Sequence, residues 1–181
     1  MKVINFYGVP GSGKSTLAAE LFVYMKKKGL NVEIATEYAK DCFYEDRFLT
    51  MQDQVYLLAK MNHKLQVFDK QKLDYVICDS PLLLNIMYKQ HQFRMNYLDD
   101  KIFNDFCLGL NATYDRLNFF ITKDNSFPYQ SSGRIESEED SNLYINRLKK
   151  ILDSNNEEYK TIINSKSLNI EQLYAYVELY K

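Results

Sequence analysis

What the 181-residue sequence lacks narrows the reading first. It carries no excess of either charge: 23 lysines and arginines stand against 24 aspartates and glutamates, a formal net charge of -1. No global positive field therefore draws the molecule to nucleic acid or to an acidic membrane, and a nucleic-acid substrate would need a local basic groove. Cysteine is scarce and unpatterned. Cys42, Cys78 and Cys107 are odd in number, widely spaced and not arranged in metal-ligand pairs, as expected of reduced thiols in a cytosolic protein. No apolar run is long enough to span a membrane, and the run that follows Lys2 is too short for a signal-peptide core. A soluble, cytoplasmic protein is the expectation. There is no internal repeat and no low-complexity tract. Glycine is rare as well, with six in all, and three of the six fall within residues 8–13.

What is present is an ordinary globular composition, 46% hydrophobic and 26% charged, enough for one domain with a substantial core over residues 1–181. Val3 to Tyr7 is an apolar-rich run stopped by Gly8, which predicts a short buried strand. Lys14 to Lys28 predicts a helix: Leu17, Ala18, Leu21, Phe22 and Met25 recur at helical spacing, lysines crowd its C-terminal end, and Gly29 stops it. Val32 to Thr36 reads as a second strand. Thr50, as N-cap, opens a long amphipathic helix to about Gln71. Asp74 to Cys78 is a third strand, residues 82–90 and 97–109 are helical, and Leu117 to Thr122 is a fourth strand. A loop follows through residue 134. Ser137 and Asp140 resemble a capping box for a helix to about Leu152. Tyr159 to Ile163 is a weaker fifth strand, and residues 170–180 form a last helix. Strands alternating with helices predict an α/β fold with a parallel sheet covered on both faces. Ligands of such sheets bind beyond the carboxyl ends of the strands.

The first strand end carries GVPGSGKST, residues 8–16, which fits G-x-x-x-x-G-K-[ST] between a strand and a helix. Glycines let the backbone turn so that successive N–H groups converge on one anion, and the helix adds the positive end of its dipole. Gly8, Pro10, Gly11, Ser12, Gly13, Lys14, Ser15 and Thr16 are thus expected to cradle the phosphates of a nucleoside triphosphate. Lys14 reaches the terminal phosphates, and the Ser15 hydroxyl is a Mg²⁺ ligand.

The third strand ends in Asp79-Ser80-Pro81. An acid at the end of an apolar strand beside such a loop suits a Mg²⁺-holding carboxylate, or a base toward an accepting hydroxyl. The second strand ends in Glu37-Tyr38, a carboxylate and an aromatic suited to sugar hydroxyls and a base, with Arg47 nearby for an anionic substrate group. Residues 123–136, with Tyr129, Gly133 and Arg134, suit a lid that closes an arginine over the transferred phosphoryl group. Arg94 and Arg116 have weaker claims to that role, and His63 and His91 read as surface or packing residues. Ser80 stands where an AAA-type motor usually places a catalytic glutamate. Thr122-Lys123-Asp124-Asn125 does not match the N-K-x-D motif of a GTPase. Both observations weigh against those classes.

With the phosphate loop, Asp79-Ser80-Pro81, Glu37-Tyr38 and the Arg134 loop together, the chain resembles the small P-loop nucleoside and nucleotide kinases. Nearest among them are nicotinamide riboside kinase-like proteins with an AAA-type ATP-binding domain. The resemblance implies strand order 2-3-1-4-5, a triphosphate donor with Mg²⁺, and an acceptor held between the second strand end and residues 38–70. Ser80-Pro81 replaces the D-R-[SY]-like segment of many deoxynucleoside kinases, which weighs against that substrate class. The expected activity is ATP- and Mg²⁺-dependent phosphoryl transfer to a nucleoside- or nucleotide-like small molecule. Lys14, Asp79 and Arg134 are its catalytic candidates, and Glu37, Tyr38 and Arg47 its acceptor-binding candidates. Two alternatives stay open: a kinase acting on a polynucleotide end or modified base, and a nucleotide-binding ATPase or switch with no small-molecule acceptor.

Overall fold

Five short strands form the centre of the molecule, residues 3–7 and 75–78 buried on both faces and the last strand burying only Ile162. The computed structural model describes residues 1–89, 98–124 and 138–180. The strands are β1 (Lys2–Tyr7), β2 (Val32–Ala35), β3 (Tyr75–Cys78), β4 (Asp115–Lys123) and β5 (Lys160–Asn164). They lie in the order β2-β3-β1-β4-β5, and every pair is parallel. The order matches the one implied by the resemblance to P-loop kinases. Because the pairing is parallel, each strand needs a crossover, and the helices supply it.

Side chains alternate along β1 and so feed two cores. Val3 and Tyr7 face one side, with Val76, Cys78 and Phe120, against α4 (Gln54–Lys70), α5 (Leu84–Lys89), α6 (Asp100–Ala112) and α7 (Glu138–Ser154). Ile4 and Phe6 face the other, with Ile77, Phe119 and Ile121, against α1 (Lys14–Lys27) and α8 (Ile170–Leu179). The cores contain fully buried aromatics such as Phe103 and Phe119, each worth roughly 1.5–3 kcal/mol of burial.

One helix boundary departs from the sequence reading. The helix expected from Thr50 to Gln71 is two pieces, α3 (Phe48–Met51) and α4. The cap is Asp53, whose Oδ1 accepts from the Tyr56 N–H at 2.9 Å. A carboxylate one turn further on outcompetes the Thr50 hydroxyl for the orphan amides of the helix start. The periodicity ran across the break because α3 is itself helical. A further short helix, α2 (Tyr38–Tyr44), starts directly after the second strand end. The residues predicted as the lid lie outside the described residues except for Lys123 and Asp124, and so does the Ser137 cap.

A buried polar network crosses the α4–α7 face. Asn5 on β1 donates to Asn118 Oδ1 on β4 at 2.9 Å, and Asn118 donates to Glu157 Oε2 at 3.1 Å. Arg116 holds Glu157 with two bonds of 2.9 and 2.7 Å, and Asn111 on α6 adds one of 3.0 Å. Arg116 is therefore committed to a structural ion pair, not to the phosphate site.

Candidate phosphate and acceptor site

The sheet topology brings the sequence-predicted residues together at one edge. β1 and β3 are neighbours, with Asn5 opposite Cys78. The loop after Tyr7 and the acid after Cys78 therefore emerge side by side. β2 lies on the far side of β3, with Ala35 opposite Cys78, which brings Glu37 and Tyr38 next to the same acid.

The loop from Gly8 to Gly13 turns tightly. Ser12 N–H donates to the Val9 carbonyl at 3.1 Å, and Leu17 N–H to the Gly13 carbonyl at 3.0 Å. Gly8 lies so close to β4 that a Cβ there would meet the Ile121 carbonyl at 2.6 Å and Ser12 Oγ at 2.8 Å. Gly13, the N-cap of α1, has φ 83° and no side-chain cap, and α1 has no acid in its first turn. Neither the N-cap residue nor an acid of the first turn competes for the amides that open this helix, as suits an anion cup. Lys14 Nζ bonds the Gly8 carbonyl at 2.8 Å and the Val9 carbonyl at 3.1 Å. The cation is held over the loop, while Ser15 and Thr16 lie exposed beside it.

Asp79 is only 4% exposed, and its Oδ1 has no hydrogen-bond partner. Burial pushes its carboxyl above the ordinary carboxylate range. A hydrogen bond with Ser15, the Lys14 charge, the Glu37 backbone N–H and the Lys40 charge pull it the other way. A buried carboxylate oxygen without a donor fits a cation, and the Ser15 hydroxyl beside it supplies a second oxygen, the hard donor set that Mg²⁺ takes. The residues fit the metal the sequence pattern implies. Glu37 contributes its backbone N–H to Asp79, a contact that residue type alone does not announce.

On the β2 side, Tyr38 stacks in a cluster of two rings and two cations. The Arg47 guanidinium donates to Tyr38 Oη at 2.9 Å and lies 5.3 Å from its ring centre. Lys60 Nζ lies 5.3 Å from the Tyr38 ring and 5.5 Å from the Tyr56 ring. The two rings are 5.9 Å apart and tilted. Hydrogen bonding from Tyr56, then from Arg47, holds the Tyr38 phenol below its ordinary range. Arg47 also pairs with Glu45 at 2.5 Å, and its Nε is buried without a partner. Such a cluster offers aromatic faces and cationic donors to a flat, polar or anionic ligand.

Residues 3–169 match a protein family described as an AAA domain. The chain belongs to this family. No curated protein matches the sequence. Among solved structures, this AAA domain is similar to a deoxyadenosine kinase from M. mycoides with bound dATP, at TM-score 0.59 and 20% identity, covering 98% of this chain and 100% of that one. A thymidylate kinase from Ehrlichia chaffeensis aligns at TM-score 0.59 and 16% identity, covering 98% and 97%. NadR protein in complex with NR aligns at TM-score 0.67 and 18% identity, covering 99% of this chain and 51% of that one. At these identities the likeness establishes a shared P-loop kinase fold.

The AAA domain thus gathers Lys14, Ser15 and Asp79 at one point, with Glu37 and Tyr38 at its flank and Arg47 behind Tyr38. Arg134, Tyr129, Gly133, Arg94 and His91 lie outside the described residues. His63 is exposed on α4. Sequence reasoning missed three participants. Tyr56 and Lys60 were read as part of one long helix; their spacing of four puts them on one face, and only the packing of α2 on α4 makes that face a site. Asn164 ends β5 and donates to the Ser12 carbonyl at 3.1 Å. Its signal was a polar residue at the carboxyl end of a strand, the place where ligands of such sheets sit. No helix among the described residues is long and apolar enough to cross a membrane, and no cluster of His, Cys, Asp and Glu among them is suited to a metal by itself.

Proposed function

We propose that this AAA domain is a kinase that moves the γ-phosphoryl group of ATP, with Mg²⁺, to a small nucleoside- or nucleotide-like acceptor. The observation that carries the reading is Asp79: a buried carboxylate oxygen without a donor, set against the serine and lysine of a phosphate loop. That arrangement is costly to the protein alone and is relieved by a cation held on a polyphosphate.

In this reading the loop amides and Lys14 hold the donor phosphates and offset the charge that develops as the bond to the leaving oxygen lengthens. Ser15 and Asp79 would hold Mg²⁺, which when bound would neutralise phosphate charge. Tyr38, with Arg47 behind it and Glu37 at the strand end, places the acceptor so that its hydroxyl oxygen faces the γ-phosphorus. The chemistry asks little more of the protein than positioning and fixed charge. The three solved relatives support the acceptor class, since their own substrates and ligands are nucleosides or nucleotides. The proposal takes the chain as one kinase domain over residues 1–181. It places the enzyme in the cytoplasm, in keeping with three buried cysteines that form no disulfide.

γ-Labelled ATP incubated with nucleosides, nucleoside monophosphates, nicotinamide riboside and oligonucleotides tests this. Label in a small molecule supports the proposal; label only in oligonucleotides, or in none of them, overturns the acceptor assignment. Lys14→Ala is expected to keep the fold and lose about 10²–10³-fold in turnover, and undiminished turnover would remove the donor assignment.

A further inference from the structure

Asn164 is remote from the phosphate loop in sequence but touches it at the point where the loop becomes a helix. Its amide nitrogen lies 3.1 Å from the Ser12 carbonyl, a contact 152 residues apart along the chain. A Cβ built on Gly13 would meet that same nitrogen at 2.1 Å and Asn164 Cγ at 3.4 Å. The amide thus occupies the space that any side chain at position 13 would need. Asn164 is itself held by the sheet: it pairs with Lys123 in register, and its carbonyl accepts from the Asp124 N–H at 3.4 Å. It is a rigid arm, the end of β5, braced against the cup.

We infer that Asn164 is a positioning residue that aims the Gly13 amide into the phosphate cup. The Ser12–Gly13 peptide is planar and trans, and no cis bond occurs among the described residues. In the Ser12–Gly13 peptide the carbonyl and the N–H point in opposite directions within one plane. A bond that fixes the Ser12 carbonyl toward β5 therefore fixes the Gly13 N–H away from it. That N–H is one of the donors that the start of α1 leaves without an intrahelical partner. Glycine leaves this peptide free to rotate, and Gly13 at φ 83° sits in a region open to glycine at little cost. Without the arm, the peptide samples orientations in which the amide misses the anion. With it, the donor is set before the ligand arrives, and less ordering is lost on binding. Glycine at 13 and asparagine at 164 form a matched pair: the first makes room for the second, and the second supplies the order that the first lacks.

The inference rests on the phosphate-loop reading, so the test has one arm that needs no nucleotide. Thermal unfolding is measured for the wild type, Gly13→Ala, Asn164→Ala and the double variant. The pair predicts that Gly13→Ala lowers Tm less in the Asn164→Ala background, because the colliding amide is gone. Equal drops in both backgrounds overturn the contact. The second arm measures binding of ATP, ADP and adenosine to the folded single variants of Asn164. Asn164→Ala is expected to weaken ATP and ADP by about 3- to 10-fold, the size of one hydrogen bond, and to leave adenosine unchanged. Asn164→Asp, which turns an acceptor toward the Ser12 carbonyl and a charge toward the cup, is expected to weaken ATP more than tenfold. Undiminished ATP affinity in both variants overturns the positioning role, and so does an equal loss for adenosine. If the wild type binds no ATP, the functional reading fails and the positioning role with it, while Tm coupling between Gly13 and Asn164 would still establish the contact as purely structural.

Discussion

Among the described residues two carboxylates are buried, and they are treated in opposite ways. Glu157 is 8% exposed and accepts four bonds, from Asn111, Asn118 and twice from Arg116. Asp79 is 4% exposed and has one oxygen with no donor at all. Equal burial therefore does not mean equal purpose. Glu157 is a finished junction: its charge is matched, and it ties the central strands to α6 and the turn after α7. Asp79 is unfinished: burial disfavours its charge, and one of its oxygens has no donor although Ser15 and the Glu37 N–H bond the carboxylate. A stably folded chain carries such a cost at a site where binding relieves it.

Substitutions can push this comparison to the breaking point. Asp79→Asn should show the widest effect and the sharpest contrast. Turnover is expected to fall by about 10²–10³-fold. The unliganded protein should gain on the order of 1 kcal/mol, or roughly 2–4 °C in Tm, because a neutral amide replaces a poorly solvated charge. The sign follows from the raised carboxyl. The folded state holds its proton more tightly than the unfolded state, so this group's contribution to stability is present at acid pH and lost as pH rises above the ordinary carboxylate range. A stability loss in Asp79→Asn would mean that the carboxylate is a structural junction after all. Glu157→Ala should do the reverse. It strands Arg116 and two asparagines, Asn111 and Asn118, and is expected to cost about 3 kcal/mol in denaturant unfolding, with turnover per folded molecule nearly unchanged. If its activity collapses while its stability holds, the division between the two carboxylates is wrong.

Smaller effects sharpen the same division. Arg47→Met removes a cation from behind Tyr38. It should raise the acceptor KM about tenfold with kcat close to wild type, as expected for a contact made equally in ground and transition states. Steady-state kinetics against ATP and acceptor separately would expose a donor-side role instead. The thiols give the smallest and most structural signal. Burial pushes Cys78 upward and Cys107 up to about 12, so both should ignore a thiol reagent at mild pH in the folded protein and react on unfolding. As pH climbs from the ordinary thiol range toward 12, the unfolded state ionises first and the native state loses stability. Rapid labelling of native protein would show that the core around α4 and α6 opens readily.

The chain announced its local structure well where a strong signal lay close in sequence. The strand at Val3 to Tyr7 and the helix from Lys14 fall within a residue of β1 and α1. A buried apolar run, a glycine turn and a helical apolar stripe each depend on neighbours a few positions away. The break at Asp53 was missed because two capping residues competed and local spacing did not rank them. Tyr56 and Lys60 were invisible as site residues for another reason: nothing within α4 distinguishes a solvated face from one on which α2 packs. Asn164 was missed because its partner lies at the other end of the chain.

By itself, the sequence determined the phosphate loop, the alternation of strands and helices, and the acid after the third strand, since each is written in residues within reach of one turn. Tertiary structure alone decided that Asp79 would be left unsatisfied while Glu157 was completed, and that Asn164 would meet Gly13. Those outcomes depend on which strands become neighbours, and strand neighbours are chosen by burial of the whole sheet between two cores, not by any short stretch of chain.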